Sequence, residues 1–258
     1  MSTLQTEVTG KILRVMIDRP ERRNAVDRET ASALAATFRQ FDEDPKLNVA
    51  VLHGAGGCFC AGADLKAIAE GSGSNAMTAS GDGPMGPSRM HLSKPVLAAI
   101  EGHAVAGGLE LALWCDLRIA DPDAVFGVFC RRWGVPLVDG GTVRLTRLIG
   151  QSRAMDLVLT GRPVDAQEAF QIGLANRVSK PGQALAAALE MAEQIAEFPQ
   201  GCLRADRASV LNQWGLDEAQ ALAQEFAGGE AVVLSGETRS GASRFASGLG
   251  RHGDFGTI

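Results

Sequence analysis

The stretches Gly54-Ala-Gly-Gly-Cys-Phe-Cys-Ala-Gly-Ala-Asp-Leu-Lys66 and Glu101-Gly-His-Ala-Val-Ala-Gly-Gly-Leu-Glu-Leu111 carry the spacing most able to do chemistry. Each places small residues where a backbone can approach another group closely, and each is followed by residues that can begin a helix. Two such turns can aim two backbone N–H groups at one point. Paired N–H donors stabilise an oxygen that gains negative charge during a reaction, so the pair points to an enzyme acting on an activated carbonyl. Glycine content alone does not carry this reading, because any tight strand-to-helix turn needs small residues. Gly54-Ala-Gly56 lacks the later glycine of a dinucleotide fingerprint, and no Gly-Lys-Ser/Thr follows as in a phosphate-cradling loop.

Carboxylates and thiols complete the set of candidates. Glu110 lies three residues after Gly107, in the first turn of the helix that the second glycine turn opens. It can face the same side as that turn's N–H groups, or it can be an exposed glutamate favoured by the helix dipole. Asp139, just before Gly140-Gly-Thr142, has the position of an N-cap and also of a site carboxylate. His53 and His103 flank the two turns at a spacing that predicts no metal site, and each reads as a hydrogen-bonded structural histidine. Cys58 and Cys60 are one residue apart, not the spacing of a zinc ligand pair.

Phe59–Lys66 and Lys94–Ala120 resemble the two signature regions of the enoyl-CoA hydratase/isomerase (crotonase) superfamily. The likeness begins near Ile17-Asp-Arg-Pro-Glu-Arg-Arg-Asn-Ala25 and runs on through Phe126-Gly127, Gly140–Gly150 and Leu159–Pro163. It therefore spans nearly the whole chain. It is specific for the superfamily and much less so for the reaction, since this scaffold serves many reactions of acyl-CoA thioesters. The resemblance implies an α/β crotonase (ClpP-like) spiral of ββα units with a C-terminal helical region. Residues 1–181 would form the core with the acyl-CoA site and residues 182–258 a helical trimerisation region, within one continuous domain. A homotrimer or dimer of trimers is implied, with no cofactor beyond the coenzyme A moiety of the substrate.

By the same resemblance, the N–H groups of Ala63 and Gly107 are the two donors to the thioester oxygen. Glu110 falls on one of the hydratase's two catalytic glutamates, and the second position is held by Cys130. A thiol of ordinary pKa is a poor substitute for a carboxylate. Arg131 and Arg132 would lower that pKa by proximity, and a buried inert cysteine is the plain alternative to a nucleophile. Asp139 lies close to where several relatives place a carboxylate, which would restore a two-carboxylate site. Phe129, Arg131, Arg132 and Trp133 fall on the segment that walls the acyl pocket in the family. An arginine there would bind a polar acyl group or pair across a subunit interface. The resemblance sets Arg22, Arg23, the Ala61–Ala63 backbone with Asp64, and Lys66 near the coenzyme's adenine and phosphates, where solvated surface charge is the alternative. The leading activity is enoyl-CoA hydration. Beside it stand double-bond isomerisation by Glu110 alone, acyl-CoA hydrolysis, and a non-enzymatic acyl-CoA binding protein.

The rest of the chain supplies the elements that must hold these groups. With 258 residues, 45% of them hydrophobic, it can bury a full core as one large domain. A net charge of −5 gives no support to nucleic-acid binding. No run approaches a membrane span, the polar start lacks a signal-peptide core, and five cysteines read as reduced thiols in a cytoplasmic protein. Strands are expected over 11–18, 49–52, 95–100 and 117–120, alternating with helices over 26–41, from 64 and over 108–114, so crossovers rather than hairpins should connect them. Beyond Gly140 the pattern is mainly helical, and Leu185, Leu189, Ala192 and Ile195 form an apolar stripe suited to an interface or to the core. Residues 70–87, rich in Gly, Ser and Pro, read as a mobile loop, either a surface insertion or a lid on the acyl pocket.

Overall fold

A computed structural model describes residues 3–71, 73–250 and 252. Met1 and Ser2 of the polar start, Ser72 of the 70–87 segment, and 251 and 253–258 of the C-terminal region lie outside the described residues.

The chain opens on a hairpin. β1 (Leu4–Thr9) pairs antiparallel with β2 (Ile12–Ile17) around Gly10, so the expectation of crossovers alone is corrected at this end. The sequence pattern did not reveal β1 because only Leu4 of its six residues is buried, leaving no apolar alternation to read. β2 then runs parallel to β3 (Val49–Gly54), β3 to β4 (Val96–Ile100), β4 to β6 (Leu117–Ala120), and β6 to β9 (Arg177–Val178). The six-stranded order is β1-β2-β3-β4-β6-β9. A smaller sheet joins β5 (His103–Val105), β7 (Val125–Gly127) and β8 (Val164–Asp165) in the order β5-β7-β8. Between the strands lie α1 (Arg28–Glu43), α2 (Leu65–Glu70), α3 (Gly107–Trp114), α4 (Gly141–Ile149), α5 (Gln151–Thr160) and α6 (Ala166–Gln171). This is the α/β spiral that the resemblance implied, followed by a helical C-terminal region.

Central strands read as nearly continuous apolar runs because both sheet faces are covered. Ala50, Leu52, Ala98 and Ile100 face the main core, which includes Leu34 and Phe38 of α1 and Leu109 and Leu111 of α3. The alternate residues Val49, Val51, Leu97, Ala99 and Ile119 pack under α7 (Ala184–Glu197). Leu185, Leu189, Ala192 and Ile195 all belong to that cluster, so the stripe on α7 is core and not a free interface face. Packing therefore changes after α7, not at residue 182. α8 (Gln200–Asn212), α9 (Glu218–Ser235) and α10 (Glu237–Ala246) have no buried residue. They expose Leu222, Phe226, Leu234 and Phe245, and Trp214 is exposed in the connection between α8 and α9. Among the described residues no helix is long and apolar enough to cross a membrane.

Helix α3 matters most for the site, and both of its ends are fixed. The buried Arg118 guanidinium donates to the Cys115 carbonyl at 2.8 Å and the Leu174 carbonyl at 2.6 Å, meeting the acceptors and negative dipole of the helix C-terminus. Trp114 packs edge-on against Phe38 at 4.8 Å and donates to the Met90 carbonyl. With its far end clamped, the N-terminus of α3 is held against the first glycine turn.

Candidate active site

The two glycine turns interlock. The Cys60 N–H donates to the His103 carbonyl at 2.8 Å, and the Val105 N–H donates to the Cys60 carbonyl at 3.1 Å. Glycine is obligatory at the closest approaches. A Cβ on Gly62, which has φ +98, would lie 2.8 Å from the Gly107 nitrogen, and one on Gly108 would lie 2.0 Å from the Cys60 carbonyl oxygen. Ala63 bridges Val26, whose N–H and carbonyl engage Gly62 and Asp64 and leave the Ala63 N–H aside. Gly107 is the first residue of α3, where an N–H has no intrahelical acceptor. Ala106 before it is held at φ +53, a strained conformation for a residue with a Cβ, and its own N–H donates to the Gly127 carbonyl. Among the described residues no protein acceptor takes the N–H of Ala63 or Gly107. Both residues line a cavity of about 250 Å³.

Glu110 lines the same cavity one turn into α3 and is 2% exposed, so it is not the solvent-facing glutamate of the alternative reading. Its Oε1 accepts from the Asp139 N–H at 2.9 Å and the Gly141 N–H at 2.8 Å. A Cβ on Gly141 would sit 2.8 Å from that oxygen, which explains the second glycine of Gly140-Gly141. Burial pushes the Glu110 pKa up to about 7; the Gly141 N–H opposes the rise and the Asp139 charge adds to it. A carboxyl so placed exchanges its proton near neutral pH.

Asp139 does not cap α4. Gly140 occupies the N-cap position without a side-chain bond, and the Asp139 side chain turns to the 83–88 segment. Its Oδ1 accepts from the Met85 N–H at 2.9 Å and from the Ser88 hydroxyl. Asp139 is 3% exposed and lines the cavity with Glu110. Arg144 secures this corner by donating to the Asp139 carbonyl at 2.8 Å and the Ser88 carbonyl at 2.7 Å.

Cys130 also lines the cavity, but not as a reactive thiolate. Burial pushes its thiol pKa up, the Glu110 charge adds to this, and Arg131 offsets only part of it. The expectation that the neighbouring arginines activate Cys130 is thereby corrected. Phe129 and Trp133 line the cavity, with Trp133 67% exposed at its mouth. Arg131 does not reach it: its Nε donates to the Val158 carbonyl at 3.0 Å, on the side of α5. Arg132 stacks its guanidinium over the Phe129 ring at 4.6 Å.

The candidate coenzyme contacts divide. Ala61 lines the cavity, whereas Arg22, Arg23 and Lys66 are exposed and are not part of its wall. Asp64 is committed elsewhere. It caps α2 by accepting from the Lys66 and Ala67 N–H groups and pairs with Arg19 at 3.0 Å. Burial opposes its charge, yet the Ala67 N–H and Arg19 hold its carboxyl below the usual range. Arg19 also reaches Asp27, the cap of α1, at 2.9 Å and so ties two helix starts together. A carboxylate with these partners is a structural group, not a phosphate contact.

Segment 70–87 is more than a surface insertion. Ser74, Asn75, Met77, Pro84 and Met85 wall the cavity. Asn75 donates to the Val26 and Pro84 carbonyls, and residues 83–88 are buried. His53 departs from the hydrogen-bonded reading, since its Nε2 is buried without a partner and burial, aided by Arg14, lowers its pKa to about 4. Among the described residues no cluster of His, Cys, Asp or Glu could hold a metal. Sequence reasoning missed Ser88, Met85, Arg19 and Arg144. Arg144 lay within the recognised Gly140–Gly150 stretch, whereas nothing in the sequence around Ser88 marks it.

An α/β spiral whose interlocked turns bring two unused N–H groups and a buried acid into one cavity defines a protein of the crotonase class. A family model described as enoyl-CoA hydratase/isomerase matches residues 7–249. Enoyl-CoA hydratase EchA19 of Mycobacterium tuberculosis is 36% identical over 247 residues, covering 93% of this chain and 92% of that protein. Carnitinyl-CoA dehydratase of Proteus mirabilis is 38% identical over 195 residues, covering 75% and 74% of the two chains. The crystal structure of enoyl-CoA hydratase EchA1 from Mycobacterium marinum superposes with a TM-score of 0.90 at 34% identity, covering 96% of each chain. The chain belongs to the enoyl-CoA hydratase/isomerase family.

Proposed function

We propose that this protein is an enoyl-CoA hydratase that adds water across the double bond of a 2-enoyl-CoA. The observation that carries the reading is the pair Glu110 and Asp139, both in the wall of the cavity that holds the Ala63 and Gly107 backbone. The thioester oxygen accepts from the N–H groups of Ala63 and Gly107. As water attacks C3, negative charge moves to that oxygen, where the two donors and the N-terminal dipole of α3 stabilise it. Asp139 takes a proton from the attacking water and Glu110 delivers one to C2. The net change is OH on C3 and H on C2, and the carboxyls return to their starting forms through a proton exchange between them or with solvent. One carboxyl has to begin protonated, and Glu110, with a pKa of about 7, can hold that proton. Cys130 stands aside as a neutral thiol.

The apolar wall that includes Met85, Phe129, Trp133 and Val138 suits an apolar acyl group. Arg22, Arg23 and Lys66 are the candidate contacts for the coenzyme phosphates, and the reaction calls on no further cofactor. The exposed apolar side chains of α8–α10 suit assembly as a homotrimer or dimer of trimers. The five free thiols fit a cytoplasmic setting. Loss of the conjugated-enoyl absorbance of crotonyl-CoA tests the reading. Turnover by the wild type supports hydration. No loss with folded wild-type protein overturns it, and double-bond migration through Glu110 alone is then the reaction to assay.

A further inference from the structure

Segment 83–88, most of it within the stretch read from sequence as a surface loop or lid, touches both halves of the site. The Met85 N–H and the Ser88 hydroxyl both donate to Asp139 Oδ1. The Met85 side chain meanwhile packs against Gly107, where an added Cβ would lie 2.7 Å from its sulfur. Ser88 is 1% exposed, and its carbonyl accepts from the same Arg144 that holds the Asp139 carbonyl. Gly83 closes the arrangement. A Cβ there would fall 1.9 Å from Ser88 Oγ and 2.7 Å from Asp139 Oδ1, so a side chain at position 83 would collide with the hydroxyl–carboxylate contact.

Ordinary packing does not require this. A buried serine can satisfy its hydroxyl on a backbone carbonyl, and a cavity-lining aspartate would otherwise rotate among several partners. Here the hydroxyl and one backbone N–H converge on one carboxylate oxygen, while an arginine ties together the backbone carbonyls of Ser88 and Asp139.

We propose that Ser88 is a positioning residue for the reaction: it fixes the Asp139 side chain through Oδ1 so that Oδ2 is presented to the cavity opposite Glu110. The inference rests on the hydratase reading given above. Asp139 is also coupled to Glu110 directly, because its N–H donates to Glu110 Oε1, so a shift of Asp139 disturbs both carboxyls at once.

The test is a double-mutant cycle on the full chain with crotonyl-CoA, combining Ser88→Ala with Asp139→Asn. Loss of a hydrogen bond to a charged group corresponds to about a tenfold to hundredfold fall in kcat for Ser88→Ala, with KM within about twofold. In the Asp139→Asn background the same change should lower kcat by less than about twofold, because the group it positions is gone. Equal losses in the two backgrounds, or a Ser88→Ala enzyme with unchanged kcat, overturn the proposal. Crystal structures of wild type and Ser88→Ala give a second readout: Asp139 should leave its rotamer when the hydroxyl is removed, and an unmoved Asp139 sinks the idea. If the wild type does not hydrate crotonyl-CoA, the hydratase reading falls by itself, and these structures alone decide whether Ser88 holds Asp139. Should Ser88→Ala fail to fold, Gly83→Ala, whose added Cβ crowds the same buried contact, replaces it in both readouts.

Discussion

Residues 129–133 and 138–141 wall the same cavity and are built on opposite plans. In the first, Arg131, Arg132 and Trp133 are exposed, Arg131 is fastened away from the cavity, and the inward thiol of Cys130 has its ionisation suppressed by burial. In the second, nearly every polar group is engaged: the Asp139 and Gly141 N–H groups on Glu110, the Asp139 carboxylate on Met85 and Ser88, its carbonyl on Arg144. A buried, fully bonded wall can hold a reacting group to a fraction of an ångström, whereas an exposed apolar wall can only offer surface. On the proposed hydratase reading, proton transfer falls to 138–141 with Glu110 and acyl accommodation to 129–133.

Substitutions can break this contrast. Glu110→Gln should cause the largest loss, about a thousandfold in kcat on crotonyl-CoA, because it removes the proton while keeping the acceptor for both N–H groups. A loss below about tenfold would move the chemistry away from α3.

The same variant tests the electrostatics. A carboxyl whose folded pKa is raised from 4.5 to about 7 is protonated more readily in the folded than in the unfolded state. Its contribution to stability is fully present below the unfolded value and is lost as pH rises through the folded one. Glu110→Gln lacks that loss, so its stability relative to wild type should grow by on the order of 3 kcal/mol between about pH 4.5 and 8. Urea unfolding at several pH values measures this, and a difference that stays flat with pH would show that Glu110 is not shifted.

Asp139→Asn should lower kcat by about a hundredfold with little change in KM. An equal loss from Cys130→Ala would erase the distinction between the two walls. Trp133→Ala should act in the opposite sense, raising KM for long-chain enoyl-CoAs by about tenfold while leaving kcat on crotonyl-CoA nearly unchanged, as loss of a partly exposed aromatic surface implies. Cys130→Ser should have the smallest effect, less than about twofold on either constant. A large loss there would reinstate the thiol as a reacting group.

Much of the site was legible because its signals are local. Gly62, Gly107-Gly108 and Gly140-Gly141 stand in sequence where two chain segments approach too closely for a Cβ, and Glu110 follows its glycine turn by a fixed helical step. The central strands and α1 were legible from apolar runs and from the Asp27 cap. Less was visible where one residue type serves several roles. Asp139 had the position of a helix cap but accepts from a segment more than fifty residues earlier in the chain. Asp64 stood among candidate coenzyme contacts but pairs with Arg19, forty-five positions away. β1 gave no alternation because five of its six residues are exposed.

The sequence by itself determined the family, through motifs spread along the chain, and the central strands and helices, each glycine turn and Glu110, because each of those elements is read from residues within about a dozen positions of one another. Only the tertiary structure decided which carboxyl joins Glu110, that α7 is core while α8–α10 present their apolar side chains to solvent, and that Arg131 leaves the cavity. Those outcomes depend on burial and on hydrogen-bond partners that the fold brings from distant parts of the chain. A hydroxyl such as Ser88 becomes meaningful only when the fold sets a carboxylate against it.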